Sequence, residues 1–426
     1  MSGPKHRLIL NAIIHAGTAP SSEVTPLSPA SIDDLESLAR IAHKGTFDTL
    51  WLPDLPFLNP TRTGVPLHVL DPVLLMTALS RTIPDIGLVP TISTTVTDPY
   101  TVARNLASLD LIADGRAGLN VVTSWNHKIA QNYGKDRLPG YEDRYRRAEE
   151  YINVLEKLSN SWPSLADNTF PHVDQTTPVR HSGEFFELDG TITAPQSRQG
   201  RPFLSVAGGS EQSRNQAAKL ADVFYTAALN KESAVDFARD IDARAQAFGR
   251  PAGSVRIVPG LVPIVGSTAE EADRILDRLT VESGGSLDPV ETVARQLELD
   301  PVTLHPEKQL TEEQLTFPST WSRPIGFFHS ITELARRENL TVAQLGRRIQ
   351  LSIGHGVVVG TPDVVADTIT QWWQSGAADG FVLHLPNPAQ TLEPFVNEVI
   401  PILQRTADYP QGYVGDTLNE RFGITR

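Results

Sequence analysis

Two segments of the chain combine small residues with hydroxyls and amides in a way that could hold a ligand. Ala207-Gly208-Gly209-Ser210 joins a strand-like run to a helix-like one, with Ser213 and Arg214 in the first turns that follow. Small residues let the backbone approach a ligand, and the free N–H groups at a helix start favour phosphate. The plainer reading of that turn is an ordinary strand–helix connection with a serine N-cap. In the second segment, Asp114-Gly-Arg-Ala-Gly-Leu-Asn-Val-Val-Thr-Ser124, a tight turn feeds a strand that ends in Asn120 and Thr123. Its plainer reading is a buried strand with polar ends. Other chemistries lack their residues. The chain has no cysteine, which removes thiolate nucleophiles, thiolate zinc sites and disulfides. No close carboxylate pair, Ser-His-Asp spacing or His-Glu-x-x-His helix is present. No metal site is expected. No residue stands out as a catalytic acid or base: His43, His68 and His305 have nothing beside them that demands that role, and neither His15, His127 nor His329 is promoted to a catalytic base. Hydroxyls, amides and one carboxylate suit a protein that positions a cofactor carrying the difficult chemistry.

Short β-type runs alternate with amphipathic helical runs, the pattern of a parallel sheet. Strands are expected at 8–15, 49–53, 86–96, 118–123, 203–207, 222–226, 255–265 and 381–385. Helices open at Ser31, at Asp71-Pro72, at Asp98-Pro99, near Tyr141 and after Ser210. Eight strands, each followed by a helix, give an α/β fold of the (β/α)8 or TIM-barrel type. A doubly wound sheet would need a Gly-x-Gly-x-x-Gly turn early in the chain, and none follows the first strand. The reading is one barrel domain over 1–426, with excursions at 161–201 and 284–356, the latter a possible lid, and a C-terminal arm at 406–426. A barrel's site lies at the C-terminal ends of its strands, here His15, Asp54, Thr94, Thr95, Asn120, Thr123, Ala207 to Ser210, Thr226 and His384. Tyr141, Tyr145 and Tyr151 recur at helical spacing, which by itself means packing.

Lys plus Arg number 37 against 50 Asp plus Glu, a net charge of −13. That balance opposes nucleic acid or an anionic membrane as the main partner. The polar start and the short apolar run after it do not make a secretory signal, so a cytoplasmic location is expected.

Gly115-Arg-Ala-Gly-Leu-Asn-Val-Val-Thr-Ser124 resembles the Gly-Arg-x-x-Trp-Asn-x-Val-Thr-Ser signature of flavin-dependent monooxygenases in the bacterial-luciferase superfamily, of the nitrilotriacetate monooxygenase type. Phe47-Asp-Thr-Leu-Trp-Leu-Pro-Asp54 is similar to the family's Phe-Asp-x-x-Phe-x-Ala-Asp, and Asn132-Tyr-Gly134 to its Asn-Phe-Gly. Arg144-Tyr145 with Ala148-Glu149, the Ala207-to-Ser210 turn, Gly360-Thr-Pro362, Ala378-Asp-Gly-Phe381 and Tyr413 through Leu418 continue the match in order. The resemblance implies a luciferase-like barrel that takes reduced FMN (FMNH2) from a separate NAD(P)H:flavin reductase. The flavin would react with O2 to give a C4a-peroxyflavin that oxygenates a small organic substrate. Carried over by position, Asp54, Thr94, Tyr141, Tyr145, Gly209 and Ser210 contact the flavin. Gly209, Ser210 and the Tyr145 hydroxyl would hold the phosphate, while Asp54, Thr94 and Asn120 surround the ring and ribityl chain. The tail resembles a dimer-forming arm, so a homodimer or a tetramer built from dimers is expected. Two alternatives use the same barrel: a deazaflavin (F420)-dependent oxidoreductase and a non-catalytic flavin-binding protein. The chain departs from the family at Tyr141, where His is frequent, at Leu119, where Trp is, and at His355-Gly356, where His-Arg is common. Residues 16–29 lack the aromatic and His residues many members carry near the substrate.

Overall fold

The computed structural model describes residues 6–15, 27–58, 69–163, 169–321, 325–352 and 354–424. In chain order its strands are β1 (Ile9–Ile13), β2 (Thr49–Leu52), β3 (Gly87–Ser93), β4 (Gly118–Val122), β5 (Val179–Ser182), β6 (Glu187–Gly190), β7 (Phe203–Ala207), β8 (Val223–Thr226), β9 (Arg256–Val265), β10 (Gly356–Gly360) and β11 (Gly380–Leu383). The helices that matter below are α1 (Ile32–Lys44), α2 (Pro72–Ser80), α3 (Pro99–Ile112), α4 (His127–Asn132), α5 (Tyr141–Ser159), α6 (Glu211–Leu220), α7 (Lys231–Ala247), α8 (Ala269–Glu282), α9 (Pro289–Leu297), α10 (Ile325–Glu338) and α11 (Val342–Arg348). Eight parallel strands close on themselves in the order β1, β2, β3, β4, β7, β8, β9, β11, the last pairing back to β1. This is the expected (β/α)8 barrel.

Strand alternation sorts side chains to the two faces of the barrel wall. Ile9, Ile13, Trp51, Val89, Phe203, Val223, Val258 and Val382 point inward and form one apolar cluster. Leu10, Ala12, Leu50, Leu88, Leu204, Phe224 and Phe381 point outward against the helices. The Asp-Pro starts behave as expected. Asp71 accepts from the N–H groups of Val73 and Leu74, Asp98 from that of Thr101, and a proline opens each helix.

One local reading differs from the expectation, and the two excursions acquire structure of their own. The run Gly356–Gly360 is a ninth parallel strand, which pairs only with the far half of β9, Leu261 to Val265. β9 is long enough to close the barrel with its near end, through Gly260 and Leu261 against β11, and to carry β10 with its far end. The excursion at 161–201 contains the antiparallel β5–β6 hairpin. The excursion at 284–356 carries α9, α10 and α11 around a small core of its own, including Val293, Leu297, Phe328, Leu334 and Leu345.

The C-terminal arm packs on its own chain. Leu418 and Phe422 join the inward-facing cluster at the N-terminal end of the barrel, the Phe422 ring lying 4.9 Å from that of Phe203. Arg256 donates from Nε to the Phe422 carbonyl at 3.0 Å. Asn419 reaches the carbonyls of Gln199 and Arg201 at 3.0 and 2.9 Å. From Leu418 on, the described part of the tail is therefore packed as a plug at this end of the barrel.

The Gly115-Arg116 signature is part of the scaffold. Arg116 is 9% exposed and donates to four carbonyls, those of Ala113, Ile83, Ile86 and Ser80, at 2.8 to 3.2 Å. It ties the ends of α2 and α3 to the start of β3. Lysine offers a point charge in place of this fork, so Arg116→Lys leaves buried carbonyls unpaired and costs about 2–4 kcal/mol. Urea unfolding measures the loss, with flavin affinity retained in the folded fraction.

Asp110 fastens the 197–201 segment to the barrel. Its Oδ1 accepts from Ala117 N at 2.9 Å and from Gln199 Nε2 at 2.6 Å, and its Oδ2 lies 2.5 Å from Ser197 Oγ. Burial pushes this carboxyl up to about 7, against the opposing pull of these donors. The folded state thus holds a proton that the unfolded chain releases near about pH 4. The resulting stability is fully present below about pH 4 and is lost as pH rises through about 7. Asp110→Asn keeps the hydrogen-bonding geometry without the titration, so its stability varies less across that window. Thermal unfolding of both proteins at several pH values checks this.

Candidate active site

The mouth of the barrel is built by residues that follow the strands. After β7 the chain turns through Gly208 and Gly209 into Ser210, the N-cap of α6. Gly208 has φ +150°, and a Cβ there would lie 2.7 Å from the Ser213 side chain. A Cβ on Gly209 would lie 3.6 Å from Gly326 Cα of α10 and 3.9 Å from Thr226 Oγ1. This turn therefore carries no side chains between the barrel, the insertion and the start of α6. Ser210 Oγ caps Ser213 N at 3.3 Å and meets the Tyr145 hydroxyl of α5 at the same distance. The rings of Tyr141 and Tyr145 are 5.0 Å apart, and the Tyr141 hydroxyl donates to Gln212 Oε1 at 3.0 Å. Burial pushes the Tyr141 phenol up to about 12, so it stays a donor. Arg214 clamps the turn, donating from Nε to the Gly209 carbonyl at 3.1 Å and from a terminal nitrogen to Asp240 at 3.2 Å. The structure thus brings together four of the expected residues: Tyr141, Tyr145, Gly209 and Ser210. A cleft opens beside them, lined in part by Gly209, Arg214, Thr226, Gly326, His329 and Glu333.

Asp54 and Thr94 follow β2 and β3, on an adjoining arc of the mouth. Burial, reinforced by the negative charge of Asp71, pushes the Asp54 carboxyl up to about 6. Near neutrality it can exchange between donor and acceptor. Thr94 and Thr95 donate to the carbonyls of Val122 and Thr123 at 3.2 and 2.6 Å, which locks the ends of β3 and β4 together. Ser93 and Ser124 meet at 2.6 Å just below.

Asn120 lies deeper than the expectation placed it. β4 runs on to Val122, so Asn120 is a mid-strand residue facing the barrel interior, 4% exposed. Its Nδ2 donates to Thr91 Oγ1 at 3.1 Å on the adjacent strand. In register it stands beside Ser205 of β7. Asn120 Oδ1 and Ser205 Oγ are both buried without a hydrogen-bond partner, as is Thr226 Oγ1 near Gly209. Unpaired buried polar atoms are costly in a finished core. A cradle without side chains, a helix N-terminus flanked by hydroxyls and unpaired acceptors below the mouth together fit a phosphate-bearing planar cofactor.

One group of residues was not visible as a unit in the sequence. Tyr225 of β8 places its hydroxyl 3.0 Å from His355 Nε2 and in hydrogen-bond contact with His384 Nε2. The two imidazoles stack at 4.3 Å. Burial lowers both, His355 to about 3, and His384 is lowered further by His355 and His15. The signal for Tyr225 was the period-two alternation of Val-Phe-Tyr-Thr, which turns it inward. For His355 there was no signal until β10 was placed behind it. His127 holds Leu138 N at 3.2 Å and is part of a loop anchor. Residues 16–26, most of the segment in which substrate-side residues were missed, lie outside the described residues.

The model of the luciferase-like monooxygenase family matches residues 10–379. The chain is 36% identical over 439 residues to component A of the nitrilotriacetate monooxygenase of Aminobacter aminovorans, covering 97% of this chain and 94% of that one. In structure it is similar to the EDTA monooxygenase of Chelativorans sp. BNC1, with a TM-score of 0.84, 33% identity and 98% and 99% of the two chains covered. It is also similar to riboflavin lyase, solved with a modified FMN and riboflavin, with a TM-score of 0.80, 26% identity and 98% and 96% coverage. The chain belongs to the luciferase-like monooxygenase family. It is a flavin-dependent monooxygenase of the two-component kind, and this reading stands over the deazaflavin alternative. No helix among the described residues is long and apolar enough to cross a membrane.

Proposed function

We propose that the chain binds reduced FMN delivered by a separate NAD(P)H:flavin reductase and uses O2 to oxygenate a small organic substrate. The observation that carries the choice of FMN is the meeting of the Tyr145 hydroxyl with Ser210 at the N-terminus of α6. Together with the glycine turn, this cradle suits a terminal phosphate. Tyr145 and Ser210 hold the phosphate, and Tyr141 supports them through Gln212. Asp54 and Thr94 flank the ring, and Asn120 offers its unpaired Oδ1 from below. When bound, the reduced flavin supplies the electrons that activate dioxygen. The chain's own work is to orient that ring, keep water from it and hold the substrate against it. The 284–356 insertion serves as the lid: its α10 meets the cradle at Gly326, and Phe327 lies edge-on to His355 at 5.5 Å. The reading includes a cytoplasmic homodimer or dimer of dimers, which sedimentation of the purified protein tests.

A flavin titration followed by fluorescence tests the cofactor. FMN is expected to bind about 10- to 100-fold more tightly than riboflavin, the difference of one phosphate with charge-assisted hydrogen bonds. Equal affinities would remove the phosphate cradle, and a preference for a deazaflavin would favour hydride transfer.

A further inference from the structure

The residues assigned above to the flavin lie on β4 or after β2, β4 and β7, with Thr94 after β3. The opposite arc of the mouth, over β8, β9 and β11, carries the Tyr225–His355–His384 cluster. On the reading that the flavin occupies the first arc, the substrate lies against the second. A single hydroxyl there touches the Nε2 atoms of two imidazoles. Tyr225 has one proton to give, so it donates to one ring and accepts from the other. Which ring takes which role is decided by the far side of His355. That residue is 3% exposed, and its Nδ1 has no hydrogen-bond partner. A Cβ on Gly260 would come within 2.3 Å of this Nδ1, so the ring packs directly on the bare backbone of β9. A proton on Nδ1 would be a buried donor facing a Cα, and buried N–H groups without an acceptor are the rarer and costlier defect. His355 therefore carries its proton on Nε2 and donates to the Tyr225 oxygen. The Tyr225 hydroxyl then donates to His384 Nε2, which must be bare.

The consequence falls on His384. With Nε2 accepting, its proton is on Nδ1. His384 is only part-buried, follows β11 at the mouth, and its Nδ1 is not among the sealed, unpartnered atoms. We propose that Tyr225 and His355 act as positioning residues that fix His384 as a neutral Nδ1–H donor, and that this donor anchors an oxygen acceptor, a carbonyl or a carboxylate, on the substrate. The stack of the two rings at 4.3 Å and the edge contact of Tyr225 with Trp51 at 5.6 Å hold the array in place. The relay runs from a buried residue of the insertion boundary along the inner face of the barrel to the substrate side. It moves no proton on its own and sets only which atom of His384 faces outward.

Long-range proton–nitrogen correlation spectra of the full chain labelled at histidine nitrogen test the relay, with and without oxidised FMN. The expected result is His384 protonated on Nδ1, His355 on Nε2 and both neutral at pH 7. In Tyr225→Phe the His384 proton moves to Nε2, while Tyr225→Phe still binds FMN. His384 found on Nε2 in the unaltered protein, or unmoved by Tyr225→Phe, overturns the proposal. A second measurement reads the anchor. Acetate and N-methylacetamide are followed by saturation transfer to the FMN-loaded protein, with isobutane-like hydrocarbon fragments as controls. The oxygen-bearing probes are expected to bind, to be lost in His384→Leu and to be kept in His384→Asn, whose amide N–H stands near the Nδ1 position. Probes that bind His384→Leu as well, or that fail to bind the unaltered protein, overturn the anchoring role. If FMN itself does not bind, the flavin reading fails, while the tautomers of the flavin-free protein still decide the relay.

Discussion

Ser210→Ala weakens FMN binding by about 10- to 100-fold, the loss of one hydrogen bond to a charged group together with a looser helix start. Ser210 acts in two directions. Its Oγ caps Ser213 N at 3.3 Å, and it meets the Tyr145 hydroxyl at the edge of the glycine turn. Alanine removes both functions, so two further variants separate them. Ser210→Asp keeps the cap, since aspartate is as good at this position as serine, but it sets a carboxylate against the phosphate. That protein is expected to melt like the unaltered one and to bind FMN more weakly than the alanine variant. Tyr145→Phe removes only the hydroxyl, leaves α6 capped and weakens FMN about 10-fold. Equilibrium titration of FMN fluorescence alongside thermal unfolding gives both readings. If Ser210→Asp binds FMN normally, the phosphate is not at α6.

Phe422→Ala destabilises the protein by about 3–5 kcal/mol, the range for truncating a large buried aromatic. Phe422 is 2% exposed, packs on Phe203 of β7 and lies where Arg256 reaches down to the backbone of the arm. The apolar cluster at this end gives way along β3, β4 and β7 to the inward-facing Thr91, Asn120 and Ser205. The arm keeps water from the apolar end. Its loss therefore leaves a cavity under Phe203 that the rigid strand wall cannot collapse. Chemical denaturation measures the effect. FMN affinity of the folded fraction is expected to be unchanged, because the cradle is at the other end of the barrel. A loss below about 1 kcal/mol would mean that the tail is held by something other than this packing.

The architecture was legible because each βα unit announces itself: an apolar run of strand length, then a capping residue and often a proline at the first helical position. Asp71-Pro72 and Asp98-Pro99 are the clearest of these, and both caps form as the residue types dictate. Gly356-Val-Val-Val-Gly360 was missed because its apolar run is short and follows a region of broken alternation. It also has only the extension of β9 to pair with. The glycine turn and the Ser210 cap of the proposed cradle were legible from local spacing and from resemblance, since a turn and a helix start are contiguous in sequence. Asn120 was placed too near the mouth because polarity marks a strand's face more clearly than its depth. The histidine array was not legible at all. Tyr225 is separated from His355 by 130 residues and from His384 by 159, and only barrel closure brings them together. That Leu418 and Phe422 plug the barrel was not legible, because only barrel closure sets Phe203 against the end of the tail.

On the proposed function, this barrel holds reduced FMN so that it reacts with dioxygen in a protected site. Stopped-flow mixing of the anaerobic protein and reduced FMN with oxygenated buffer, followed by flavin absorbance, tests it most directly. The account predicts an absorbing species distinct from both reduced and oxidised FMN, absent without the protein and decaying more slowly than it forms. Reoxidation straight to FMN at the protein-free rate would contradict it.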